Sequence, residues 1–226
     1  MFVIPLIAGA VGGAFAAVVG RQYLSRRKPY QAIWAIALAM FGAAALFETS
    51  GQAFGWSDGT YKGYYLFGGL LNVGWLGLGS LLLITSPRAG RIATIAMVLI
   101  SIVCLFAVVA AHTNGNFLKA QVPARGAIDV PSILPLITNL GGSLLLIGGA
   151  AWSAWRAARA GAPRSRVVGL AVLAAGAFIV AMGHSFAQTS GVYVAQPVSE
   201  ALGIVAMFVG YLVIESCGAV RRTTVA

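Results

Sequence analysis

Residues 92–112 read IATIAMVLISIVCLFAVVAAH, preceded by Arg88 and Arg91. No charged side chain interrupts the run before the closing histidine. A helix rises about 1.5 Å per residue, so a run of this length reaches across the roughly 30 Å hydrocarbon core of a bilayer. The alternative, a helix buried in a soluble core, needs polar surface elsewhere to cover it. The chain has 226 residues, of which 59% are hydrophobic and 9% charged. A soluble domain carries about 25% charged residues, and a fold of this composition lacks the polar side chains to coat its exterior. The run is therefore read as a membrane-spanning helix.

Six further stretches have the same character. Together the predicted spans are Phe2–Gly20, Tyr30–Glu48, Tyr64–Thr85, Ile92–His112, Ser132–Trp152, Val167–Ala187 and Val198–Cys217, and none contains Lys or Arg. The apolar runs are continuous and lack the alternation of a membrane β-barrel. The expected fold is all-α: a single domain over residues 1–226 formed by a seven-helix transmembrane bundle. The N-terminal run has its basic residues after it and none before it, unlike a cleavable signal, so it is expected to be the first span.

The net charge of +10 does not point to nucleic acid, because the cations fall in clusters between the spans. Of the 15 basic residues, Arg21, Arg26, Arg27, Lys28, Arg88, Arg91, Arg156, Arg159, Arg164, Arg166, Arg221 and Arg222 fall on one side, and only Lys62, Lys119 and Arg125 on the other. The positive-inside rule assigns the first side to the cytoplasm, with the N-terminus outside and the C-terminus inside. The abundance of Arg, Ala and Gly suggests the cytoplasmic (inner) membrane of a prokaryote.

Short strings recur. Glu48-Thr49-Ser50-Gly51, His112-Thr113-Asn114-Gly115 and Gln188-Thr189-Ser190-Gly191 are expected to close helices 2, 4 and 6, and Gly79-Ser80-Leu81-Leu82-Leu83-Ile84 matches Gly142-Ser143-Leu144-Leu145-Leu146-Ile147. They are read as three parallel helical hairpins plus a closing helix, an arrangement found in transporters. The plainer alternative is that Thr/Ser/Asn-Gly is a good helix stop. Gly9 and Gly13 in helix 1, Gly169, Gly176 and Gly183 in helix 6, and Gly203 and Gly210 in helix 7 have the spacing of close helix–helix seams. Pro5 and Pro135 are expected to kink helices 1 and 5.

Ionisable and amide groups in or beside spans are costly and so mark candidate sites. Glu48, His112, His184, Gln188 and Glu200 are expected to gather in an outward-facing pocket, with Asn72 and Asn139 lining a path or bonding between helices. Only His184 is read as lying well inside a span; Glu48, His112 and Glu200 are placed at helix ends. Two imidazoles and two carboxylates could hold a divalent metal, and His112 and His184 could ligate a haem between helices 4 and 6. The bland reading is solvated residues at the headgroups. Cys104 and Cys217 are expected to be free thiols at different depths. Glu215 is expected to form a salt bridge near the inner interface.

No nucleophile–base pair, HExxH or phosphate loop occurs, so an enzyme is disfavoured. The topology matches that of microbial rhodopsins, but the last span has no lysine for a retinal Schiff base. What remains is a small-solute or ion transporter or channel with an outward polar site. The alternatives are an accessory subunit of a larger membrane complex or a seven-helix sensor. The partners expected are the lipid bilayer and other membrane proteins or further copies of the chain, with no nucleic acid.

Overall fold

The computed structural model describes residues 2–116, 126–190 and 195–223, without the side chains of His184, Ser185, 187–190 and 216–223. The described chain is helical apart from turns and one isolated antiparallel bridge between Thr113 and Ile128. Seven helices are long and apolar enough to cross a membrane, and the chain is described accordingly as a multi-pass membrane protein. They are α1 (Val3–Arg26), α2 (Pro29–Phe54), α3 (Asp58–Ile84), α4 (Pro87–Ala110), α5 (Ile133–Arg159), α6 (Arg164–Ser190) and α7 (Ala195–Thr223). Short turns at Arg27–Lys28, Thr85–Ser86 and 160–163 join them at the arginine-bearing end.

Local chemistry sets the boundaries. Pro29 and Pro87 open α2 and α4, where a missing N–H costs nothing. Ser57 begins α3 with a reciprocal cap: its hydroxyl accepts from the Thr60 N–H, and the Thr60 hydroxyl accepts from the Ser57 N–H. This cap starts α3 about two turns ahead of the Tyr64 boundary predicted from hydropathy. Pro5 and Pro135 both sit in the first turn of their helices, so they interrupt no internal ladder and explain no kink. The Thr-Ser-Gly strings also behave differently from expectation. Helix α2 runs through Glu48 and Gly51 to Phe54 and α6 through Ser190, whereas His112-Thr113 follows the end of α4. Glu48 is thus well inside a helix, not at its end.

Six helices close a ring in the order α1, α2, α3, α5, α6, α7 and back to α1. Glycines set its tightest contacts. A Cβ on Gly77 would lie 2.6 Å from the Gly142 carbonyl oxygen, and one on Gly142 would lie 2.5 Å from that of Val73, so α3 and α5 meet backbone to backbone. The same holds between α6 and α7: a Cβ on Gly169 would lie 2.7 Å from the Gly210 oxygen, and one on Gly176 would lie 2.7 Å from the Gly203 oxygen. These are the seven-residue seams read from the sequence, now seen to face each other. In α1, Gly9 and Gly13 flank Gly42 of α2.

Helix α4 stands outside the ring, packed against α3. Its outward side chains, such as Ile92 and Phe106, are each 69% exposed, a state suited to lipid tails and not to water. Only Cys104, Met97 and Val108 of its inner stripe are well buried among apolar neighbours. Cys104 is a free thiol; the side chain of Cys217 lies outside the described residues.

Candidate functional site

The ring encloses a cavity of about 350 Å³ lined by α2, α3, α5, α6 and α7. Towards the arginine end it stops at a floor where Phe15 stacks on Phe208 and leans on Tyr211, with Trp34, Leu146 and Met207 beside them. Trp34 is held there by donating its indole N–H to the Leu76 carbonyl at 3.2 Å. The opposite end of the cavity is polar.

Two irregular helical stretches shape that polar end. Tyr65–Leu71 in α3 and Leu136–Gly141 in α5 are π-helical, and they touch each other. Widened π turns are rare and concentrate at functional sites. Here they let Asn139, in the π turn of α5, donate from Nδ2 to the Gly69 carbonyl in the π turn of α3 at 2.7 Å. Asn139 and Asn72 both line the cavity. Asn72 is 6% exposed, and its Oδ1 has no partner.

Glu48 and Glu200 complete the end. Glu200 lines the cavity, and Glu48 lies one turn beyond the lining residues Ala44 and Ala45 with its side chain fully buried. The two carboxyls lie close enough to each other and to the Tyr64 hydroxyl to feel one another electrostatically. Each carboxyl is held by an amide one turn away on its own helix: Gln52 Nε2 donates to Glu48 Oε1 at 3.0 Å, and Gln196 Nε2 donates to Glu200 Oε1 at 3.1 Å. Gln196 also donates to the Tyr64 hydroxyl. Neither carboxyl pairs with a Lys or Arg among the described residues. The ion pairs among the described residues lie elsewhere, Lys62 with Asp58 and Arg26 with Glu215. The second of these joins α1 to α7 at the arginine end through two hydrogen bonds of 3.0 and 3.2 Å.

Four of the residues singled out from the sequence therefore come together: Glu48, Glu200, Asn72 and Asn139. His112 does not join them. It is exposed beyond the end of α4, where its carbonyl accepts from the Asp129 N–H. The side chains of His184 and Gln188 lie outside the described residues. Helix α4 packs on α3 and not on α6, so the helices that would carry a bis-histidine haem do not face each other. No group of three His, Cys, Asp or Glu gathers among the described residues.

Sequence reasoning missed Gln52, Gln196 and Tyr64. The signal was present, because Glu48/Gln52 and Gln196/Glu200 repeat the same acid–amide spacing of four, which stacks side chains on one helix face. Trp75 of α3 is buried and donates to the Ser101 hydroxyl at 3.0 Å, tying α4 to α3.

No family model matches the chain, and neither curated proteins nor solved structures give a match.

Proposed function

We propose that the protein is a carrier for a small cationic solute in a prokaryotic cytoplasmic membrane, with its N-terminus and acidic site outside and its arginine end in the cytoplasm. One observation carries this reading: a central cavity is lined at its polar end by Glu200, Glu48 is buried one turn beyond the lining, and neither carboxyl pairs with a Lys or Arg among the described residues. Burying such groups is expensive unless something positive compensates them for part of the cycle. A solute cation, or protons in its absence, would do so. The cavity favours transport over an accessory subunit, which needs none. Its aromatic floor at Phe15, Trp34 and Tyr211 favours a carrier that alternates between states over an open channel.

Close packing of α3 and α5, which share the Gly-Ser-Leu-Leu-Leu-Ile string, supports a kinship between two of the hairpins. Their paired π turns offer the place where such a carrier would flex.

Transport is tested by reconstituting the full chain in vesicles preloaded with unlabelled methylammonium and measuring counterflow of the radiolabelled ion. Uptake above that of empty vesicles, lost in Glu200→Gln, is expected; uptake equal to that of empty vesicles for methylammonium and for organic amines alike would overturn the reading. Sidedness is tested with a membrane-impermeant maleimide on cysteine-free protein. Ser165→Cys should be protected in intact cells, and Asn116→Cys should be labelled.

A further inference from the structure

The cation-carrier reading leaves the solute's chemistry open, and the inference here rests on it. The buried side-chain atoms without partners around the Glu48–Glu200 pair are oxygens: Asn72 Oδ1 in the cavity lining, and Glu48 Oε2 and Gln52 Oε1 just behind it. Three of the amides nearby already donate elsewhere. Gln52 serves Glu48, Gln196 serves Tyr64 and Glu200, and Asn139 serves the Gly69 carbonyl. Buried acceptors without donors are costly, so a fitting ligand brings several N–H groups and a positive charge, as a primary ammonium does.

The rest of the cavity asks for something different. Away from its polar end it is walled by residues such as Phe41, Leu76, Leu140, Ile204 and Met207. A bare ion would leave most of about 350 Å³ unfilled. A hydrated one would press its water against walls that return no hydrogen bonds. Volumes of this order suit organic molecules with apolar bodies, and the lining includes the aromatic side chains of Phe41 and Tyr64. The α5 wall is also thin: Leu136 and Leu140 line the cavity yet are 53% and 54% exposed. Side chains that touch both the cavity and the outer face of α5 give a lipid-dissolved molecule a short way in.

We propose that the cavity binds an amphiphilic primary amine, its ammonium at Glu48 and Glu200 and its apolar body between Phe41, Leu140 and Met207. Calorimetry on the full chain in nanodiscs, corrected with empty nanodiscs, tests it with three probes: 4-phenylbutylamine, 4-phenylbutanol and methylammonium chloride. The amine should bind saturably, and the alcohol and methylammonium at least about tenfold more weakly, the order of one lost charged contact. Glu200→Gln should weaken the amine at least about tenfold and leave the alcohol unchanged. Asn72→Leu should weaken the amine in the same direction, and it keeps the test open should the Glu200 variant fail to fold.

Methylammonium binding as tightly as the amine would overturn the amphiphile while leaving the cation-carrier reading in place. Alcohol binding as tightly as the amine, with no effect of Glu200→Gln, would overturn both. So would the absence of saturable binding by all three probes.

Discussion

The two halves of the ring solve the membrane's packing problem in opposite ways. At the arginine end, Phe15, Trp34, Phe208 and Tyr211 pack the centre around a void of only about 20 Å³, and the indole N–H of Trp34 has a carbonyl partner although the Tyr211 hydroxyl and Gln31 Oε1 have none. At the acidic end the centre is hollow, two helices carry π turns, and Glu48 and Asn72 keep unpaired oxygens. Helices in lipid are held by dispersion contacts and interhelical hydrogen bonds, since lipid tails are as apolar as the side chains themselves. The filled half is rich in the first. The hollow half gives up some of each, which is what a site must do to leave room for a ligand.

Substitutions in each half sharpen this contrast. Phe15→Ala should hollow the floor and cost about 3 kcal/mol, read as a large fall in melting temperature in detergent. An unchanged melting temperature would mean the floor is not packed as described. Gly142→Val should cost about 2 kcal/mol or more, because its side chain meets the backbone of α3 at Val73 and Gly74. Asn139→Leu leaves the Gly69 carbonyl without its interhelical donor and should cost about 1 kcal/mol.

Glu48→Gln should move stability the other way in alkaline solution, raising the melting temperature where the carboxyl would otherwise be charged with no Lys or Arg partner among the described residues, and should change it little in acid, where the carboxyl is neutral. A fall on Glu48→Gln would place that carboxylate among the structural groups and not the functional ones. Acid should weaken amine binding: lowering the pH protonates Glu48 and Glu200, and the neutral carboxyls no longer attract an ammonium. Affinity measured across pH should therefore rise towards alkaline values while the amine stays protonated. The smallest effect is expected for Arg26→Ala. Its pair with Glu215 is partly exposed, and such pairs are worth about 0–1 kcal/mol.

Much of the architecture was legible in the residue string. Seven apolar runs with cations confined between them predict the seven helices, and the glycine steps in 169–183 and 203–210 predict a close seam. The boundaries were less legible. Hydropathy stops α2 at Glu48, but helical hydrogen bonding continues to Phe54, because a single carboxyl does not break a helix. The same misjudgement put Glu48 at a solvated helix end when it is fully buried. Glu200, Asn72 and Asn139 were named for their cost in a membrane. That argument included His112 equally, and the structure leaves it exposed beyond α4.

By itself the sequence determined that this chain is helical, that its helices suit lipid, and where its cations cluster, because those properties follow from the average chemistry of each stretch taken alone. Which way each helix turns about its own axis, and which neighbours it meets, depends on contacts between residues far apart in the chain. Only the tertiary structure could therefore put α4 outside the ring, set the π turns of α3 and α5 against each other, and bury Glu48 just behind the cavity end that Glu200 lines.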